Sequence, residues 1–151
     1  MSEYITFFVR KEENLVPIGT FSRSTFIFQG ARTMFNINTI YGTAREIVPS
    51  ELEKALRFCM GKRDYFEGVI TDLESDIAAV TNFNNTVGEK LDAITTLRNE
   101  IEEVRGDVEE AALGVKWYSM LQLMRESTDE PIKFYCGIEV DEDLTVENLL
   151  K

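Results

Sequence analysis

The residues best suited to chemistry in this chain form one short run, Thr20-Phe21-Ser22-Arg23-Ser24-Thr25. Hydroxyls flank an arginine immediately before a stretch with helical spacing. The first turn of a helix leaves backbone N–H groups without intrahelical partners and carries partial positive charge. A phosphate or carboxylate is therefore favoured there. Arg32 and Arg45 belong to the same part of the chain. Residues 1–49 hold five basic and four acidic side chains, so this segment alone has no net negative charge. The candidate ligand-binding set is Ser22, Arg23, Ser24, Thr25, Arg32 and Arg45, and the ligand class is a small anion, nucleotide-like compounds included. The plain alternative is that Ser22 or Ser24 simply caps the helix.

Most other chemistry is excluded by residue type. The chain has no histidine, which removes the usual Ser-His-Asp and Cys-His arrangements, most catalytic zinc sites and the Glu-x-x-His pairs of di-iron bundles. It has neither Gly-x-x-x-x-Gly-Lys nor Gly-x-Gly-x-x-Gly, so no phosphate cradle of either kind. Carboxylates abound, but Asp72, Glu74, Asp76, Glu102, Glu103, Asp107, Glu109 and Glu110 fall mostly off the apolar positions and face water. Asp141-Glu142-Asp143 lacks the alternating ligands and glycine of a calcium loop. The expectation is a protein that is not an enzyme and uses no metal or cofactor.

Charge narrows the partners. The net charge is −11, concentrated in residues 50–126 (nine basic, sixteen acidic) and 127–151 (two basic, seven acidic). Such surfaces oppose direct nucleic-acid binding. They suit a basic protein partner, or an acidic mimic of nucleic acid, or only solvation of the helix faces. The acidic first residues do not form a signal peptide, and no apolar run approaches the roughly 20 residues of a membrane span. The two cysteines, Cys59 and Cys136, are far apart and read as reduced core residues of a cytoplasmic protein.

The elements that must position the candidate residues follow from periodicity. Tyr4–Arg10 is rich in aromatic and β-branched residues and reads as a strand. Leu15–Gly19 reads as a second strand, placed at an edge by Pro17. Ser24 to Phe35 reads as a short helix, with a strand as the competing reading. Residues 36–48 form a loop with an extended piece at Arg45–Val48. From Ser50 to Glu126 the pattern is an antiparallel helical hairpin. Ser50-x-x-Glu53 and Thr86-x-x-Glu89 look like capping boxes. Between them an apolar stripe runs Leu52, Leu56, Cys59, Phe66, Ile70, Leu73, Ile77, Val80, and then Leu91, Ile94, Leu97, Ile101, Val104, Val108, Ala111, Val115, Tyr118. The stripe has coiled-coil spacing, broken at Arg63, which is expected to pair with Glu103 or Asp107 across the hairpin. Gly61, Gly68, Gly106 and Gly114 lie inside these helices and suggest close helix approach or a bend. Ile132–Val140 is the best alternating strand, with Ile132, Phe134, Cys136, Ile138 and Val140 on one face. Leu144–Leu150 is a short helix or a tail.

These elements imply an α+β fold: a small antiparallel sheet of two N-terminal strands and one C-terminal strand, a short helix, and a long coiled-coil-like hairpin. The expected organisation is one domain, 1–151, with the hairpin at 50–126 projecting from it. The functional expectation is a protein-interaction or regulatory protein that forms homo-oligomers through the hairpin, such as a virus-encoded inhibitor or adaptor acting on host machinery. The alternatives are the anionic-ligand module and the acidic nucleic-acid mimic.

Overall fold

The computed structural model describes residues 3–35, 42–82, 85–127, 129 and 132–140. Residues 141–143, the segment 144–150 expected as a helix or tail, part of the expected loop 36–48, and residues 83 and 84 between the long helices lie outside the described residues. The elements are β1 (Tyr4–Lys11), β2 (Asn14–Ser22), α1 (Phe26–Met34), β3 (Arg45–Ile47), α2 (Pro49–Thr81), α3 (Val87–Glu126) and β4 (Phe134–Ile138). The architecture is α+β. Four antiparallel strands lie in the order β2-β1-β4-β3, and α2 and α3 pack against each other as the antiparallel hairpin.

The sheet has one strand more than the three expected. The extended piece at Arg45–Ile47 pairs with β4, Arg45 opposite Cys136 and Ile47 opposite Phe134. β4 also pairs with β1, Ile5 opposite Ile138 and Val9 opposite Phe134. It is therefore an interior strand, and all five of its residues are buried. Tyr135, on the face opposite Phe134, Cys136 and Ile138, is buried for this reason: it packs with Phe8, Leu15, Ala44 and Val140 on the second face of the sheet. Val140 joins that face rather than that of Cys136 and Ile138, because Glu139 takes a left-handed φ of 51° and turns the chain. Pro17 does sit in an edge strand. Phe7 opposes Gly19 and Phe8 opposes Pro17, leaving Ile18 as a bulge.

The short helix is one or two residues shorter at each end than expected. β2 extends to Ser22, and Thr25 rather than Ser22 or Ser24 is the cap, its Oγ1 accepting from the Phe28 N–H at 3.1 Å. The start of α2 also differs. Pro49 occupies the first helical position, where its missing N–H costs nothing. Glu51, not Glu53, reaches back and accepts from the Val48 N–H at 3.1 Å; Glu53 binds Arg57 at 2.7 Å on the exposed face. The second capping box is half realised, with Thr86 Oγ1 accepting from Glu89 N–H at 3.2 Å.

The chain divides into two compact units, residues 1–59 with 113–151, and residues 60–112. The division falls inside the hairpin because its base belongs to the sheet's core. Phe7, Phe28, Phe35, Leu52, Ala55, Cys59, Tyr118, Leu121 and Phe134 form one apolar cluster. Tyr118 lies at its centre and donates its phenol to the Ile27 carbonyl at 2.5 Å. Gly114 permits the crossing of α2 and α3 here: a Cβ on it would lie 2.5 Å from Cys59 Sγ.

The unit 60–112 is built on the apolar stripe alone. Among its described residues only Ile101 and Ala111 are buried; Phe66, Ile70, Leu73, Ile77, Ile94, Leu97, Val104 and Val108 are half-buried. Arg63 pairs with its chain neighbour Asp64 at 3.8 Å rather than across the hairpin. Close approach does not explain Gly61, Gly68 or Gly106, since a Cβ at each would meet nothing within 4 Å.

Glycine substitutions should therefore separate by sign in urea unfolding. Gly114→Ala overpacks against Cys59 and is expected to lower stability by about 1–3 kcal/mol. Gly68→Ala enters open space and should raise it by up to about 1 kcal/mol.

Candidate functional site

The run from Thr20 to Thr25 is the end of an edge strand followed by a cap, and most of its polar groups are engaged locally. Ser22 and Ser24 hydroxyls bind each other at 2.9 Å. Thr25 Oγ1 donates to the Ser22 carbonyl at 2.8 Å while accepting from Phe28. Thr6 and Thr20 hydroxyls are paired at 3.1 Å. The Arg23 N–H donates to the Glu3 carbonyl at 3.0 Å. An open depression of about 420 Å³ remains, lined by Glu3, Ser22, Arg23 and Ser24. Its one guanidinium shares it with a carboxylate, so the local field does not favour an anion.

Of the six residues nominated from sequence, the structure brings together Ser22, Arg23 and Ser24, with Thr25 beside them as the cap. Arg32 lies in the last turn of α1, about 10 Å along the axis from the cap, where a cation complements the carbonyl end of the helix. Arg45 is in β3, at the opposite edge of the sheet from β2. Three strand spacings of about 4.8 Å separate those edges. Arg45 has a structural task there. One of its terminal nitrogens donates to the Phe35 carbonyl at 2.5 Å, the other to Glu51 at 2.6 Å. It thus holds the end of α1 and the start of α2 to β3.

A second cavity, of about 380 Å³, opens where β3 ends and the chain enters β4. Glu46, Ile47 and Val48 line one side, Arg125 at the end of α3 another, and Ile132 and Lys133 the third. Sequence reading missed it because these three segments carry no common motif. The only available signal was that Arg125 and Lys133 are cations in a strongly acidic half of the chain.

The thiols offer no nucleophile. Cys59 and Cys136 are free and buried. Burial pushes the Cys59 thiol up from 9.0 to about 12 and raises that of Cys136 further still. Both stay protonated where a catalytic thiolate is needed. Burial likewise raises the Tyr118 phenol well above its ordinary value. Among the described residues no group of three or more Cys, Asp or Glu side chains is placed to hold a metal ion, and no helix is long and apolar enough to cross a membrane.

Comparison with known protein families, curated proteins and solved structures returns no match to this chain. The reading of function rests on geometry.

Arg45→Ala should lower stability by about 1.5–3 kcal/mol, because it strands the partly buried Glu51 carboxylate and the Phe35 carbonyl. Arg23→Ala should change it by less than about 0.5 kcal/mol in the same chemical denaturation series. Both thiols should resist alkylation in the folded protein and react once it is unfolded. The folded thiol pKa lies above the unfolded one, so this contribution to stability is intact below pH 9.0. For Cys59 it is lost between about 9 and 12. The expected slope is about 1.4 kcal/mol per pH unit for each thiol, and Cys59→Ala should remove one such share.

Proposed function

We propose that this chain is a non-enzymatic interaction protein that self-associates through the hairpin unit 60–112, two hairpins combining into a four-helix arrangement. The observation that carries this reading is the half-wet seam. Eight large apolar residues repeat at coiled-coil spacing, yet each stays only half-buried when two helices alone cover them. A two-helix layer has one side of its stripe against a partner and the other toward water. A second pair of helices covers the remaining side, which is how helical hairpins commonly reach a filled core. An aliphatic side chain gains about 25 cal/mol for each Å² of apolar surface removed from water, so completing such a seam has a substantial driving force.

The charge of the unit opposes this association and gives the reading a distinctive signature. Residues 60–112 carry five basic and thirteen acidic side chains, so two copies repel unless salt screens them. A basic protein partner is the competing occupant of the same surface, with the acidic faces as its contact. It has the opposite salt dependence. The reading of residues 20–25 as an anion site gains no support from its geometry, since Glu3 shares the depression with Arg23.

Light scattering across a concentration series should show a dimer or higher oligomer, and the association should tighten as salt is raised. Leu73→Asn combined with Leu97→Asn should yield a monomer whose sheet unit keeps its near-ultraviolet dichroism from Trp117 and Tyr118. A wild-type monomer at every concentration and salt would overturn the proposal. A complex with a cationic protein that weakens with salt would favour the competing partner.

A further inference from the structure

We propose that the two hairpins meet tip to tip: the second copy lies antiparallel to the first and overlaps only residues 77–99, the end of α2 and the start of α3. This arrangement rests on the self-association proposed for the hairpin and adds which length of the stripe the second copy covers. Exposure along α3 is graded. Ala111 is fully buried and Ile101 is 6% exposed. Leu91, on the same stripe, is 59% exposed, and Val87, one turn before it, is 74% exposed. Residues three and four apart share a helix face, so Val87, Leu91 and the half-buried Ile94 form one apolar surface. The two helices of one hairpin leave this end of the seam the wettest.

Charge is graded in the same direction. Residues 77–99 carry two basic side chains, Lys90 and Arg98, and two acidic ones, Glu89 and Asp92. Residues 60–76 carry two basic and five acidic, and residues 100–112 carry one and six. The whole acidic excess of the unit therefore lies outside the tip. A basic partner is drawn to the acidic lengths and gains nothing from a neutral contact. Only a partner of the same charge needs one, and a second copy of this chain is that partner.

The tip overlap also keeps the acidic lengths apart. It places the two-fold axis near residue 93 of α3. At about 1.5 Å per residue, position 105 is then about 36 Å from its mate along the axis. That is several times the Debye length of about 8 Å at physiological ionic strength. Hairpins packed in parallel over their full length would set the same acidic lengths about 10 Å apart. Tyr65, 65% exposed, is the competing apolar contact in the unit. Its ring stands edge-on to Phe66 at 5.2 Å. The antiparallel pairing of α2 with α3 sets it level with residues 100–112, the most acidic length of the unit.

The test uses the full chain with one spin label, at Thr95→Cys or at Gly106→Cys. Both positions are exposed, and the native thiols are buried. Label distances are read by electron spin resonance at a concentration where light scattering shows the oligomer. Labels at position 95 are expected within about 20 Å of their mates, and labels at position 106 about 40 Å apart. Full-length overlap in either direction brings the labels at 106 within about 20 Å. Leu91→Asp should raise the dissociation constant by about 10–100-fold, because a carboxylate enters the covered surface twice. Tyr65→Ser should leave it within about twofold. Leu91 is already exposed, so the fold is retained, and far-ultraviolet dichroism checks this. The proposal is overturned by labels at 106 that are close, by labels at 95 without a near mate, or by a larger effect of Tyr65→Ser than of Leu91→Asp. An oligomer with close labels at 106 refutes the tip contact alone. A chain that stays monomeric refutes the hairpin association and the tip contact with it.

Discussion

The hydroxyl of Tyr118 donates to the carbonyl of Ile27 from a position ninety-one residues later in the chain, and the sheet unit is arranged around that bond. A phenol buried this fully must find an acceptor or lose the hydrogen bonds it had in water. Only one orientation of α3 over α1 supplies it. The ring then fixes its neighbours, standing edge-on to Phe7 of β1 at 6.1 Å and to Phe35 at the end of α1 at 6.3 Å. Gly30 and Gly114 keep the space beside it free for Phe58 and Cys59. One polar contact thus sets the position of a helix, and the aromatic packing around it sets the sheet face it covers.

The elements whose periodicity is long and regular were legible from sequence alone. The hairpin, the first strand and the edge character of β2 follow from spacing and from Pro17. What escaped was pairing at a distance. β3 is three residues long, too short for alternation to show, and its partner β4 lies beyond both helices. Without β3, β4 looks like an outer strand, and alternation carried one residue too far assigns Val140 to the face of Cys136 and Ile138. Local competition among polar groups was the other source of error. Thr25, Ser24 and Ser22 are all plausible caps, and Ser50-x-x-Glu53 matches a capping box as well as any. Thr25 takes the cap where β2 has already claimed Ser22, and Glu51 reaches back to Val48, the residue after β3.

The same distinction separates the two candidate sites. The residues from Ser22 to Thr25 have types suited to anion binding, but they satisfy one another and face Glu3. The residues of the second cavity, 46–49, Arg125, Ile132 and Lys133, have no common motif, yet the fold brings them together from two distant parts of the chain. Residue type proposes chemistry, and topology decides which groups are left to perform it. In the hairpin the reverse holds: its proposed function is read from a stripe that the described residues of the unit leave half-covered.

The place of β4 between β1 and β3 also sets an order of events in time. During synthesis the β1–β2 hairpin and α1 emerge early, and the inner edge of β1 stays unpaired until both long helices have been made. At ribosomal rates of about 5–20 residues per second that interval is on the order of ten seconds. An unpaired strand bearing Ile5, Phe7 and Phe8 is exposed to pairing with other nascent chains throughout it. The bulge at Ile18 and the proline beside it blunt the opposite edge, at β2. The described residues of the inner edge carry no such device, and its protection depends on how soon β4 arrives.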